Sequence, residues 1–110
     1  MDKKFMGFFL VVVLLITSLA YAGKSRGELV YNGFCVVCHG ATGKGDGYSS
    51  NALLPPPPDF SSKEYWVKVD PESLRRIIAE GEPDRQMQGF TDELSSEDID
   101  AVLGYLFSFR

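Results

Sequence analysis

Apolar positions along the chain fall into one continuous run followed by three periodic stretches. Phe5 to Ile16 is apolar throughout and has no polar face, so it does not encode a helix lying on a core. Downstream, apolar residues recur at helical spacing. Glu28 to Cys38 combines good helix formers with Tyr31 and Phe34 and predicts a helix leading into two cysteines. Asp70 as N-cap and Pro71 at the first helical position open a second helix, which Gly81 closes. Its Leu74, Ile77 and Ile78 stand at i, i+3 and i+4 and form the stripe expected to be buried. Ser95 and Asp98 make a capping-box-like start to a third, with Ile99, Val102, Leu103 and Leu106 behind them.

The segments between these helices read as loops. Ala41 to Ser50 holds Gly43, Gly45 and Gly47 among polar residues. Leu53 to Phe60 contains Pro55 to Pro58, which lack backbone donors and fix φ, giving a stiff polyproline-like stretch. Ser61 to Trp66 predicts a short helical turn, and Glu82 to Glu93 a polar loop carrying Met87. No repeat and no strand alternation is visible. The expectation is a small all-α domain of three main helices whose long loops wrap something, since loops this long are otherwise out of place in so small a domain.

The leading run has its own logic. Lys3 and Lys4 precede it, and Ala20-Tyr21-Ala22 places small residues where a signal peptidase reads them. Residues 1–22 are therefore read as a secretory signal peptide and 23–110 as the domain. The alternative is an uncleaved membrane anchor, because Phe5 to Ala22 carries no charge. Thr17, Ser18 and the small-residue end favour cleavage. Either way the domain is expected to be exported, to the periplasm in a bacterial cell, with membrane contact only if the segment stays attached.

Cleavage after Ala22 removes 22 of the 110 residues. A domain of the remaining size buries only about 60–65% of its unfolded surface and is marginal without a staple or cofactor. Two cysteines three positions apart do not make a disulfide framework; a large apolar cofactor would supply the missing core. Asp2, Lys3 and Lys4 contribute +1 to the net charge of −4, so the domain itself stands at −5. With no Lys/Arg run, nucleic acid and anionic membrane surfaces are poor partners.

Cys35-Val36-Val37-Cys38-His39 is a C-x-x-C-H sequence, the attachment signature of c-type haem. Two thiols three residues apart on a helical turn reach the two vinyl groups of one porphyrin and form thioethers, and the adjacent His39 lies under the iron as proximal ligand. C-x-x-C by itself also fits a redox dithiol, a disulfide or half a zinc site. Zinc needs four ligands, and the chain offers two Cys and one His with no second pair. A thioredoxin-like dithiol belongs between a strand and a helix.

With that motif in place, the chain resembles the class I (monohaem) c-type cytochromes over nearly all of residues 27–107. Gly27, Tyr31 and Cys35 fall at i, i+4 and i+8, matching the family's Gly and aromatic ahead of the first cysteine. Val102 and Gly104-Tyr105-Leu106 match its terminal aromatic pattern, and Gly43-Lys44-Gly45-Asp46-Gly47 its Gly-rich stretch. The resemblance implies one covalent haem c, iron held by His39 and Met87, and a crossing of Gly27 and Tyr31 with the C-terminal helix. Met87 is the only Met beyond the leader and precedes the last helix, where the family places its sixth ligand. The family's Pro after that Met is replaced by Gln88. One carbonyl of Pro55 to Pro58 is expected to accept the proximal histidine's ring N–H, as in relatives.

Trp66 reads as a core aromatic, with a haem propionate as the alternative partner for its N–H; Tyr31, Phe34 and Tyr105 read as core packing. Glu80, Glu82, Asp84, Asp92 and Glu93 surround Met87 with Arg85 alone opposing, an acidic rim suited to steering basic partners. No spare His, Arg or acid pair marks a distal catalytic pocket. The function expected is an electron carrier, not an enzyme, working with redox partner proteins as a monomer or as a subunit of a redox complex. The alternative is a haem-based ligand binder or sensor from which Met87 dissociates.

Overall fold

The computed structural model describes residues 2–22 and 24–110, the side chains of residues 17–22 excepted. Among the described residues six helices run in chain order: α1 (Lys3–Ala22), α2 (Arg26–Phe34), α3 (Val36–His39), α4 (Lys63–Lys68), α5 (Pro71–Glu80) and α6 (Ser96–Leu106). Two short strands, β1 (Gly81–Glu82) and β2 (Met87–Gln88), pair antiparallel.

Helix α1 exposes its apolar side chains, Phe5, Phe8 and Ile16 among them. Among the described residues no helix is long and apolar enough to cross a membrane. The expected cleavage-site side chains of Ala20, Tyr21 and Ala22 lie outside the described residues.

The domain is organised around the contact of α2 with α6. Val30 and Tyr31 of α2 join Ile99, Val102 and Leu106 of α6, and Leu74 and Ile78 of α5, Phe60, Phe90 and Leu94 complete the buried cluster. Gly27 makes the close approach possible: a Cβ there would stand 2.2 Å from the carbonyl oxygen of Ala101 and 2.8 Å from the Tyr105 Cβ. Tyr31 is wholly buried, its ring 5.4 Å from that of Tyr105. The crossing of Gly27 and Tyr31 with the C-terminal helix that the resemblance implies is thus present.

Local capping fixes the helix starts. Asp70 accepts hydrogen bonds from the backbone N–H groups of Glu72 and Ser73 at the head of α5. At α6 the capping box is complete: the Asp98 N–H donates to the Ser95 Oγ at 3.1 Å, and the Ser95 N–H donates to the Asp98 carboxylate at 3.2 Å. Those Ser95 bonds, with the Arg26 guanidinium 2.7 Å away, hold the Asp98 carboxyl below the usual carboxylate range. Arg26 thereby links α2 to α6, as Arg75 links α5 to α6 through Asp100 at 2.6 Å.

Two expectations are corrected. The helix expected over Glu28 to Cys38 is divided at Cys35, whose φ of −117° lies outside helical values, and the short α3 follows. So short a helix cannot persist on its own propensity. The glycine-rich loop holds it: the N–H groups of Gly45, Gly47 and Ser49 donate to the carbonyls of His39, Cys38 and Val37. Side chains would obstruct this wrapping, since a Cβ on Gly47 would meet the Val37 carbonyl oxygen at 2.4 Å. Second, the loop expected over Glu82 to Glu93 contains the β1–β2 ribbon, closed by a 3₁₀ turn at Pro83–Arg85 and by Gln86 in the left-handed region at φ 62°. Strands of two residues are too short to leave an alternating pattern.

Candidate functional site

Between α2–α3, the proline segment and the β1–β2 ribbon lies a slot formed by two adjoining clefts of about 330 and 310 Å³. Cys35, His39, Pro58, Glu82, Arg85, Met87 and Phe90 line both clefts. Cys38 and Pro55 to Pro57 line the first, and Tyr65, Leu74, Ile77, Ile78, Val102 and Leu106 the second. The structure therefore gathers on one slot all four residues singled out in the sequence: Cys35 and Cys38 at the break and within α3, His39 at its end, and Met87 on β2.

The chemistry of the walls is uneven. His39 is half-buried, and burial lowers its pKa, so the imidazole is held neutral, the form in which it binds a metal. Its Nδ1 is wholly buried without a hydrogen-bond partner, and its ring stacks on that of Phe60 with centroids 5.0 Å apart. Both cysteines are free and half-buried. Burial, with Cys38 beside it, pushes the Cys35 thiol up to about 11. A reactive redox dithiol needs the opposite, a thiolate stabilised by positive surroundings. Among the described residues no group of three or more His, Cys, Asp or Glu is disposed to hold a metal ion.

Residues 22–106 match the family model described as cytochrome c oxidase, cbb3-type, subunit III. The chain belongs to this family of c-type cytochrome domains. Among curated proteins it is similar to the dihydro-heme d1 dehydrogenase of Pseudomonas aeruginosa, 36% identical over 98 residues, which make up 89% of this chain and 18% of that protein. The chain thus spans less than a fifth of that relative's length. Among solved structures it is similar to a Kuenenia stuttgartiensis reducing HAO-like protein complex, with a TM-score of 0.66 at 30% identity over 78% of this chain and 42% of that one. It is also similar to the KustC0563 c-type cytochrome, with a TM-score of 0.63 at 26% identity over 79% of this chain and 99% of that one. As a member of this family the chain is a haem-based electron carrier with a small all-α cytochrome fold.

The slot of this cytochrome fits the group its family implies. A half-buried neutral imidazole, two free thiols three positions apart, a thioether and mostly apolar walls are the donor set and surroundings that a c-type haem requires. The orphaned Nδ1 corrects one expectation. None of the Pro55 to Pro58 carbonyls accepts a hydrogen bond from His39. Those of Pro57 and Pro58 lie instead against Gly45, where an added Cβ would meet them at 2.4 and 2.9 Å. Trp66 packs against the core, as expected of a core aromatic, and its indole N–H donates to the Phe60 carbonyl at 2.6 Å.

Three features escaped the sequence reading. The Tyr31 hydroxyl donates to the Gly40 carbonyl at 2.5 Å, tying α2 to the turn after His39. Phe34 is 41% exposed, so it is a wall of the slot's mouth, edge-on to Phe90, and not core packing alone. Gln86 accepts the Leu54 N–H at 3.1 Å through its side-chain oxygen, joining the Met87 ribbon to the proline segment. Phe34 with Phe90 and Gln86 with Leu54 are distant in sequence, the Tyr31 bond spans nine positions, and no local pattern marks any of the three.

Proposed function

We propose that this cytochrome carries single electrons through one haem c, attached by thioethers to Cys35 and Cys38, with His39 as proximal and Met87 as sixth iron ligand. The observation that carries the reading is the convergence of these four side chains on a single apolar slot with His39 held neutral. The haem supplies the one-electron Fe(III)/Fe(II) couple. The chain's own residues His39 and Met87 would hold that iron, and the slot would keep water from it and hold both side chains still between oxidation states. The ribbon that carries Met87 and the loop that binds α3 act to that end. Thioether ligation at the sixth site places the potential above that of a bis-nitrogen site.

The role is transfer, not catalysis, and the acceptors and donors are other redox proteins, whether met in solution or as fixed neighbours in a complex. Glu80, Asp84, Asp92 and Glu93 are exposed near Met87 and form the steering rim for a basic partner. Reaction with a basic redox partner is expected to slow several-fold between low and high ionic strength, as stopped-flow mixing would record. The family match beginning at residue 22 supports reading α1 as a leader that directs the domain out of the cytoplasm.

The test is co-expression with a c-haem maturation system, followed by a haem stain on a denaturing gel and oxidised and reduced spectra. Haem surviving denaturation, with low-spin bands and the weak far-red sulfur-to-iron band, is the expected result. A second reading, a sensor with a labile Met87, draws on the absence of Pro after Met87 and the brevity of β2. It predicts ready carbon monoxide binding to the reduced protein, which a Met-ligated carrier resists.

A further inference from the structure

The ribbon that carries Met87 is held differently at its two ends. At its exit, Phe90 donates its N–H to the carbonyls of Ile78 and Ala79 at 3.1 and 3.0 Å, binding the chain to the last turn of α5. Gly81 and Gly89 sit so tightly there that a Cβ on either would meet backbone at 2.6 Å. The tip has no such packing. Its Pro83–Arg85 turn closes on itself, the Gln86 N–H donating to the Pro83 carbonyl at 3.1 Å, and Gln86 then takes a φ of 62°. Among the described residues Gln86 is the only one other than glycine with positive φ. Gly or Asn suits such a position better, so the backbone does not call for glutamine. The side chain does: its Oε1 accepts the Leu54 N–H at 3.1 Å, across 32 positions. Leu54 precedes Pro55 to Pro58, whose fixed φ makes a stiff post. The Pro57 and Pro58 carbonyls lie against Gly45, whose N–H donates to the His39 carbonyl at 2.8 Å. One side-chain bond thus joins the wall that bears Met87 to the wall that bears His39.

We infer that Gln86 is a latch on the sixth ligand: its bond to Leu54 holds the ribbon tip against the proline post and sets how often Met87 leaves the iron. Gln86 is a positioning residue, adjacent to Met87 in the chain and acting through it. The inference rests on the haem-carrier reading and adds to it the element that keeps the carrier closed. With the bond made, the tip has one arrangement. With it broken, the Pro83–Gln86 turn swings on the ribbon alone, and the sixth site opens to small ligands.

The test is a titration of the oxidised, haem-loaded protein with imidazole, a neutral ligand that takes the sixth site only when Met87 is off it, followed by loss of the far-red band. Apparent affinity scales with the open fraction. Gln86→Asn accepts positive φ more readily but ends one carbon short of Leu54. It should therefore bind imidazole several-fold more tightly while its Tm holds or rises. Gln86→Glu keeps an oxygen at full reach and should match the unaltered protein. A role confined to the turn would leave the Asn variant's affinity where it was. That result, or an equal rise in Gln86→Glu, overturns the latch. Coupling is reciprocal, so saturating imidazole should in turn speed hydrogen exchange at the Leu54 amide of the unaltered protein. An unchanged exchange rate, read by NMR, refutes the latch even where a variant does not load haem. The haem stain and the far-red band of the unaltered protein, recorded first, keep the two readings apart. Their absence removes the carrier reading and the latch with it; their presence beside an unmoved titration removes the latch alone.

Discussion

Met87→Ala is expected to keep its covalent haem and lose the far-red band, with the reduced protein passing from negligible to stoichiometric carbon monoxide binding. The reasoning starts from what the substitution leaves untouched. Cys35, Cys38 and His39 lie on the other wall of the slot, on α3 and the break before it, and their support comes from the Gly45–Ser49 amides and not from β2. Attachment therefore survives. The sixth position does not, because Met87 is the only methionine after Met6 and His39 the only histidine. Its strand partner Glu82 and the following Gln88 offer no strong-field replacement. The potential should fall as well, since a thioether favours Fe(II). Absorption spectra with and without carbon monoxide check this. An oxidised spectrum unaltered by the substitution would show that some other side chain holds the iron.

Gly27→Ala should cost about 3 kcal/mol, toward the upper end of what overpacking a core costs. The new methyl would stand 2.2 Å from the Ala101 carbonyl oxygen and 2.8 Å from the Tyr105 Cβ, so two helix backbones must part. No flexible side-chain end is available to move instead. Separation would also loosen Val30 and Tyr31 from Val102 and Leu106, the middle of the core. For a domain this size the loss corresponds to a drop of more than about 10 °C in Tm. Gly104→Ala is the control on the opposing helix. A Cβ there meets nothing within 4 Å, and replacing a helical glycine by alanine should stabilise by about 0.5–1 kcal/mol. Thermal melts of the haem-loaded variants would show shifts of opposite sign.

The contrast between those two glycines marks where sequence reading stops. Both sit in helical segments, and the spacing of Gly27 with Tyr31 and Cys35 singled it out only through family resemblance. What makes Gly27 indispensable is a carbonyl 74 positions away, brought to it by the packing of α2 on α6.

Local chemistry determined a good deal on its own. Asp70 with Pro71 and Ser95 with Asp98 begin their helices as expected, because caps act within three residues. The C-x-x-C-H signature fixes its own geometry, two thiols and an imidazole within one turn, and so named the chemistry before any fold was known. Helical periodicity likewise identified Leu74, Ile78, Ile99, Val102 and Leu106 as core.

Only the tertiary structure decided the rest. It turned the Trp66 N–H to Phe60 and aimed Tyr65 at the slot, although the two are adjacent and equally aromatic. It drew the Pro57 and Pro58 carbonyls to Gly45 and left the His39 Nδ1 alone. It also folded the Met87 segment into a ribbon fastened through Gln86 to Leu54. Each of these outcomes is a competition between partners six to 32 positions apart for the same donor, acceptor or volume. Such competition is settled by how α2, α5 and α6 pack, and no window of sequence contains it.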